Sequence, residues 1–306
     1  MPKWIASPTS SFSSARARNS AMPNATPIAA PPKHRWYQYS LRTLFVIMTL
    51  LCVLLGMVFK LIVIPAERQR AAVDKITQLG GSVIHSFIPD DESWIRKSLR
   101  EILPRDYFDS VIVVMICRQS ELGESDLECL EALPLLRYIS LNGTSVAKSG
   151  LLHLKGLSQL KRLKLNDTSV TDADLRSLSG LVKLEWLELI YTKVTDAGLK
   201  HLSGLTSLVD LRLDATGVTD AGMDDLNKLA QLQILGLAST EISDAGLDRL
   251  TRCSQLTMLN LFKTKATDAG VERFQQSHPN CTIERLRDEN PRVRRYAEQA
   301  IEAINK

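Results

Sequence analysis

Apolar residues recur along the second half of the chain in one fixed pattern, Leu-x-x-Leu-x-Leu-x-x-Thr-x-Val-Thr-Asp-Ala-Gly-Leu-x-x-Leu-x-x-Leu, with a period of 24 residues. Its first apolar position falls at Leu136, Leu160, Leu184, Leu208, Leu232 and Leu256. A degenerate copy is read from Ile112 and a partial one from about Asn280, giving about seven copies over residues 111–284. In the copy from Leu184, the residues Leu184, Leu187 and Leu189 fit a short strand entered through a turn. Leu199, Leu202 and Leu205 then advance in steps of three, as on one face of a helix. A lone copy buries too little apolar surface to offset the ordering of its backbone. Stacked copies share buried faces, so the pattern predicts a solenoid whose turns fold together.

Polar columns run along the same repeat. Thr144, Thr168, Thr192, Thr216, Thr240 and Thr264 share one position, with Ser120 in the degenerate copy. A hydroxyl repeated once per turn is expected to bond the backbone of the next turn, and six identical threonines argue for structure over a reactive group. Thr195-Asp196, Thr219-Asp220, Ser243-Asp244 and Thr267-Asp268 precede the helical face as N-caps. The same carboxylates offer a weaker reading as an acidic, metal-binding edge. Gly198, Gly222, Gly246 and Gly270 follow them and permit close approach of neighbouring turns.

These copies, with their Val-Thr-Asp-Ala-Gly-Leu signature, resemble leucine-rich repeat proteins of the short bacterial type. The resemblance covers about Val111 to Ile283. It implies an α/β solenoid with a parallel sheet on the concave face and short helices on the convex face, used for binding or scaffolding. The first two copies depart from the signature, with Gly123-Glu124 and Ala147-Lys148 in place of Thr-Asp.

A second apolar pattern lies upstream. Thr43 to Ile64 is apolar apart from Lys60 and the polar Thr49, and its 22 residues make a helix of about 33 Å, enough for a hydrocarbon core of about 30 Å. Trp36, Tyr37 and Tyr39 sit where an interfacial aromatic belt belongs. A buried core helix is the alternative, but no comparable partner helix exists in the sequence. One transmembrane helix is therefore expected ahead of the solenoid, contacting the lipid bilayer through Thr43 to Ile64. The absence of a clean small-x-small site after it favours a signal anchor over a cleaved signal. Residues 40–83 also resemble the anchor and juxtamembrane region of bacterial membrane-tethered leucine-rich repeat proteins, which favours a bacterial cell membrane over an organelle.

Residues 1–42, rich in Ser, Pro and Ala, are expected to be a disordered basic tail. The tail carries six bases and no acid. The chain's net charge of +4 thus leaves −2 for everything after it, and no nucleic-acid partner is expected. The acid-free tail favours a cytoplasmic N-terminus and an extracytoplasmic solenoid. Residues 65–110 are expected to cap the array. They include a short helix presenting Val73, Ile76 and Leu79 and closed by Gly80-Gly81, a strand within Ser82–Ile88, and a second helix presenting Trp94, Leu99, Ile102 and Leu103. Residues 285–306, with Asn290-Pro291 at a helix start, are expected to form a C-terminal cap helix.

Candidate chemistry is sparse. The five cysteines (Cys52, Cys117, Cys129, Cys253 and Cys281) are odd in number and lack a CxxC, with Cys117 and Cys253 at core positions. His153 and His201 fall two turns apart on the helical side, too far for one metal ion and expected to be exposed. The chain shows no GxSxG, GxxxxGK[ST], GxGxxG or HExxH motif, so neither an enzyme nor a cofactor is expected.

Binding is the better-supported activity. The outward sheet columns read Val114, Tyr138, Arg162, Trp186, Asp210, Ile234, Met258, then Ile116, Ser140, Lys164, Glu188, Arg212, Gly236, Asn260. A third reads from Arg118 through Asn142, Asn166, Ile190 and Asp214 to Phe262. Tyr138, Arg162, Lys164, Trp186, Glu188, Tyr191, Asp210 and Arg212 are the candidate partner-binding residues. Tyr138 and Trp186 serve as aromatic anchors in a polar rim. The competing structural reading makes Lys164, Glu188 and Arg212 a ladder of opposite charges on adjacent strands. The expected function is recognition of another protein at the membrane. Binding of glycans or peptidoglycan fragments is the first alternative, and an enzyme subunit or a purely structural envelope protein the second.

Overall fold

The computed structural model describes residues 40–86, 109–116, 121–146 and 150–285. The N-terminal tail with its aromatic belt, the helix expected around Trp94, Cys117, Arg118, Ser120, Ala147-Lys148 and the C-terminal cap helix lie outside the described residues. The chain divides into two units, Met1–Leu51 and Cys52–Lys306.

Helix α1 spans Leu41–Val58 and buries none of its residues. It has no acid in its first turn and no base in its last, and only its length and apolarity suit it to crossing a bilayer. A π-helical turn follows at Phe59–Val63, then α2 at Ile64–Gln78. The short juxtamembrane helix read from the sequence is thus continuous with the apolar one. Pro65 brings no N–H to the helix interior, and a proline there ordinarily kinks it. The π turn widens the backbone just ahead of the proline, with the Ile64 N–H bonded to the Phe59 carbonyl five residues back. Ala72 and Ile76 of α2 are buried. Its C-terminus turns on Gly80, in the left-handed region at φ 72°. A Cβ on the next residue, Gly81, would overlap the Ile76 side chain, so the return to the sheet needs glycine there too.

Among the described residues nine strands make one sheet in the order β1-β2-β4-β6-β7-β8-β9-β10-β11. They are β1 Ser82–Ser86, β2 Ser110–Met115, β4 Tyr138–Ser140, β6 Arg162–Lys164, β7 Trp186–Glu188, β8 Asp210–Arg212, β9 Ile234–Gly236, β10 Met258–Asn260 and β11 Thr282–Glu284. All neighbours pair in parallel except β1, which runs antiparallel to β2. A two-stranded ladder of β3 (Glu121–Leu122) and β5 (Ser145–Val146) stands apart. Short α and 3-10 turns complete each coil, such as Asp196–Leu199 followed by Lys200–Leu202. A mostly parallel ladder with short helices fits the α/β leucine-rich repeat solenoid. In the coil from Leu184, all seven apolar positions (Leu184, Leu187, Leu189, Val194, Leu199, Leu202 and Leu205) are fully buried. One apolar core runs from Ala72 to Cys281.

The register corrects the first coil. Val113 pairs with Tyr138 and Met115 with Ser140, while Val111, Val114 and Ile116 are buried. The coil therefore begins at Val111, not Ile112, and Val114 and Ile116 face inward. Val111-Ile-Val-Val-Met-Ile116 is apolar throughout, so two phases fit the pattern equally and packing against Leu136, Ile139 and Leu141 selects one.

Two polar columns also differ from expectation. Each threonine hydroxyl donates within its own turn, to the carbonyl three residues back: Thr192 to Leu189 at 2.7 Å, and likewise Thr144, Thr168, Thr216, Thr240 and Thr264. The link between coils is the aspartate. Asp196 accepts the Thr219 amide at 2.8 Å and the Thr219 hydroxyl at 2.6 Å, one coil on. Asp172 does the same for Thr195, Asp220 for Ser243 and Asp244 for Thr267. Thr195, Thr219, Ser243 and Thr267 also cap their own helices through their hydroxyls. The glycines earn their place here: a Cβ on Gly198, Gly222, Gly246 or Gly270 would overlap the carboxylate from the previous coil.

Candidate functional site

A strand alternates its side chains, so every second residue of β4, β6, β7 and β8 stands on the sheet face away from the core. The register sets Tyr138, Arg162, Trp186 and Asp210 in one row, and Ser140, Lys164, Glu188 and Arg212 in the next. Trp186 is half-buried, with the Arg162 guanidinium 4.9 Å and the Lys164 ammonium 5.8 Å from its ring centre. Both distances suit cation–π attraction. The indole N–H is shielded from solvent and has no acceptor among the described residues.

The charges beside Trp186 pair differently from a simple cross-strand ladder. Lys164 meets Glu188 across strands at 2.9 Å, and Glu188 also accepts the Asn166 side-chain amide. Arg212 turns away from Glu188 and grips Asp210 on its own strand, with Nε to Oδ1 at 2.7 Å and Nη2 to Oδ2 at 3.3 Å. The expected ladder thus stops after one rung, because a same-face i, i+2 neighbour offers the guanidinium a fork-matched carboxylate. Burial pushes the Asp210 carboxyl above its ordinary range, against the pull of Arg212. Burial does the same to Asp214, although Asp214 accepts the Ala238 amide.

Tyr138, Arg162, Lys164 and Trp186 line one cleft of about 480 Å³. Arg137 and Lys161 add two more bases, and Ile84, Val113 and Met115 make an apolar wall. Lys161 is paired with Glu185 at 2.6 Å. Arg137 and Arg162 have no carboxylate partner among the described residues. Glu188, Asp210 and Arg212 continue the same face beyond the cleft. Tyr191 stands apart, in the turn after β7 at φ 57°, with half its surface exposed.

Sequence reasoning missed the apolar wall. Val113 and Met115 were hidden by the two-phase run in β2. Ile84 lies on a strand outside the repeat, and only the antiparallel pairing of β1 brings it to this face. Arg137 and Lys161 also belong among the cleft residues.

Other candidates fall elsewhere. His153 is half-buried, not exposed, and its Nδ1 lies 2.6 Å from Glu131. Among the described residues no group of three or more His, Cys, Asp or Glu is placed to hold a metal ion. Cys253 and Cys281 are buried, and burial pushes both thiols up to about 11.

No family model matches the chain, and no curated protein matches it. Similar solved structures include an internalin, inlF, of Listeria monocytogenes, 21% identical over 58% of this chain and 48% of that one, with a TM-score of 0.49. The match thus spans about half the length of that internalin. Internalin C2 of the same species is 22% identical over 58% and 73% of the two chains, with a TM-score of 0.48. A leucine-rich repeat protein of Leptospira interrogans is 17% identical over 60% and 51%, with a TM-score of 0.44. The fold assignment stands on the strand ladder and the repeat themselves.

Proposed function

We propose that this chain is a non-catalytic recognition protein, held at a bacterial cell membrane by α1 and binding another protein through the sheet face around Trp186. The carrying observation is that Tyr138, Arg162 and Trp186 share one accessible row while the core behind them is complete without them. Aromatic and arginine side chains so placed are the usual anchors of protein interfaces. For the anchor, the support is an apolar helix with no buried residue. The acid-free tail supports a cytoplasmic N-terminus and an extracytoplasmic solenoid.

Two measurements test this reading in bacterial cells making the full chain. The chain should stay in the membrane pellet after alkaline carbonate extraction. Leu50→Arg should release it, because a charge at mid-bilayer costs about 2.5–3.5 kcal/mol or more. A photo-crosslinking residue at Trp186 or Met258, on the sheet face, should capture protein, whereas one at Lys200, on the helical side, should not. Equal capture from both sides, or a parent chain lost from the pellet, would sink the reading.

A further inference from the structure

We propose that the cleft between β1 and β7 docks an acidic segment of a partner polypeptide, one with an apolar side chain next to its carboxylates. This rests on the sheet-face reading above and names the chemistry of what that face takes.

Among the described residues the cleft is lined by four bases and no acid. Lys161 and Lys164 each already hold a glutamate, but among the described residues Arg137 and Arg162 hold none. Stacking on Trp186 engages the face of Arg162 and leaves its in-plane N–H donors free. Two guanidinium forks without a carboxylate partner among the described residues call for a ligand rich in acceptors and negative charge. Ile84, Val113 and Met115 offer no polar group from their side chains, and Ile84 is 49% exposed, so the same ligand must bring apolar surface.

The charge pattern beyond the cleft selects among anions. Glu185, Glu188, Asp210 and Asp214 follow on β7, β8 and the turns beside them against the single base Arg212, so acids come to outnumber bases within about one strand spacing. A long polyanion such as nucleic acid would run from attraction into repulsion. A peptide changes its charge from residue to residue and alternates apolar with acidic side chains, so it meets both walls.

The full chain, reconstituted in nanodiscs of uncharged phosphatidylcholine, is panned against a displayed random dodecapeptide library. Enrichment of Asp and Glu interleaved with Leu, Phe or similar residues is expected. A fluorescein-labelled Glu/Leu peptide should then bind, with the affinity falling as salt rises. Its Gln/Leu counterpart should bind the unmodified chain roughly tenfold more weakly or worse. Arg137→Gln with Arg162→Gln should cost a similar factor, and Arg162→Lys part of it; the peptide exchange keeps the test decisive even where these variants fold poorly. Enrichment without acids, equal binding of the Gln/Leu peptide, or tighter binding of polyphosphate or phosphatidylglycerol vesicles would overturn the proposal. Should Met258 still capture protein while no acids are selected, the docking proposal falls and the sheet-face reading stands. Should no face position capture protein, the sheet-face reading falls and the docking proposal falls with it.

Discussion

Asp196→Ala probes the link that joins one coil to the next. The Asp196 carboxylate spans to Thr219 with two bonds, 2.8 Å to the amide and 2.6 Å to the hydroxyl. Removing it strands an amide donor in a half-buried seam and deletes a charge-assisted contact. A hydrogen bond to a charged group contributes about 1.5–3 kcal/mol, and partial access of water to this seam places the expected loss near 2 kcal/mol. Glu185→Ala is the matched control. It breaks a contact of 2.6 Å to Lys161, but both partners are nearly half exposed. Exposed pairs contribute about 0.2–1 kcal/mol, so the shorter contact should matter less. Urea unfolding of the full chain in detergent micelles, followed by circular dichroism, gives the order of the two losses. Because stacked coils need not unfold in one step, hydrogen exchange at the Thr219 amide gives the local value. Equal losses for the two variants, or unchanged exchange at Thr219, would refute the aspartate as the clamp.

Three further outcomes follow from the same geometry. Asp214→Asn should raise the melting temperature: its oxygen still accepts the Ala238 amide, as Asn166 accepts that of Ile190, and no half-buried charge remains. Burial raises the folded carboxyl of Asp214 above its unfolded value, so the penalty acts at neutral pH and vanishes as pH falls below the unfolded value; the gain over the parent chain should shrink in acid. The Thr267 hydroxyl and amide instead hold the Asp244 carboxyl below its ordinary range, so that clamp is complete above the unfolded value and lost as pH falls through the folded one. Ala215→Gly should stabilise the chain by about 0.5–1 kcal/mol, since a left-handed alanine costs about 1–2 kcal/mol and glycine's added freedom returns part of it. Ala215 sits at φ 54°, in the column where Gly143 already occurs; a lower melting temperature for the variant would contradict this accounting.

Much of the fold was legible before any coordinate. Leu187 and its equivalents had to face inward, because a strand alternates and an aliphatic residue recurs at this position in every coil while its neighbours vary. The candidate site was legible only in part. Tyr138, Arg162, Lys164 and Trp186 meet at one cleft as the columns implied, while Tyr191 stands off in a turn. The apolar wall escaped notice because Val113 and Met115 lie in a run with no polar residue to mark its phase.

The 24-residue period by itself determined that the coils stack, which leucines they bury and which row of side chains faces out. Periodicity reports the direction in which a side chain leaves the backbone, and that is a property of each residue's place in its own coil. The choice of polar partner belonged to the tertiary structure. Thr192 reaches back within its turn, Asp196 reaches across to the next, and Arg212 prefers Asp210 to Glu188. Several acceptors lie within reach of each donor, and differences of an ångström or so in the spacing of neighbouring coils decide among them.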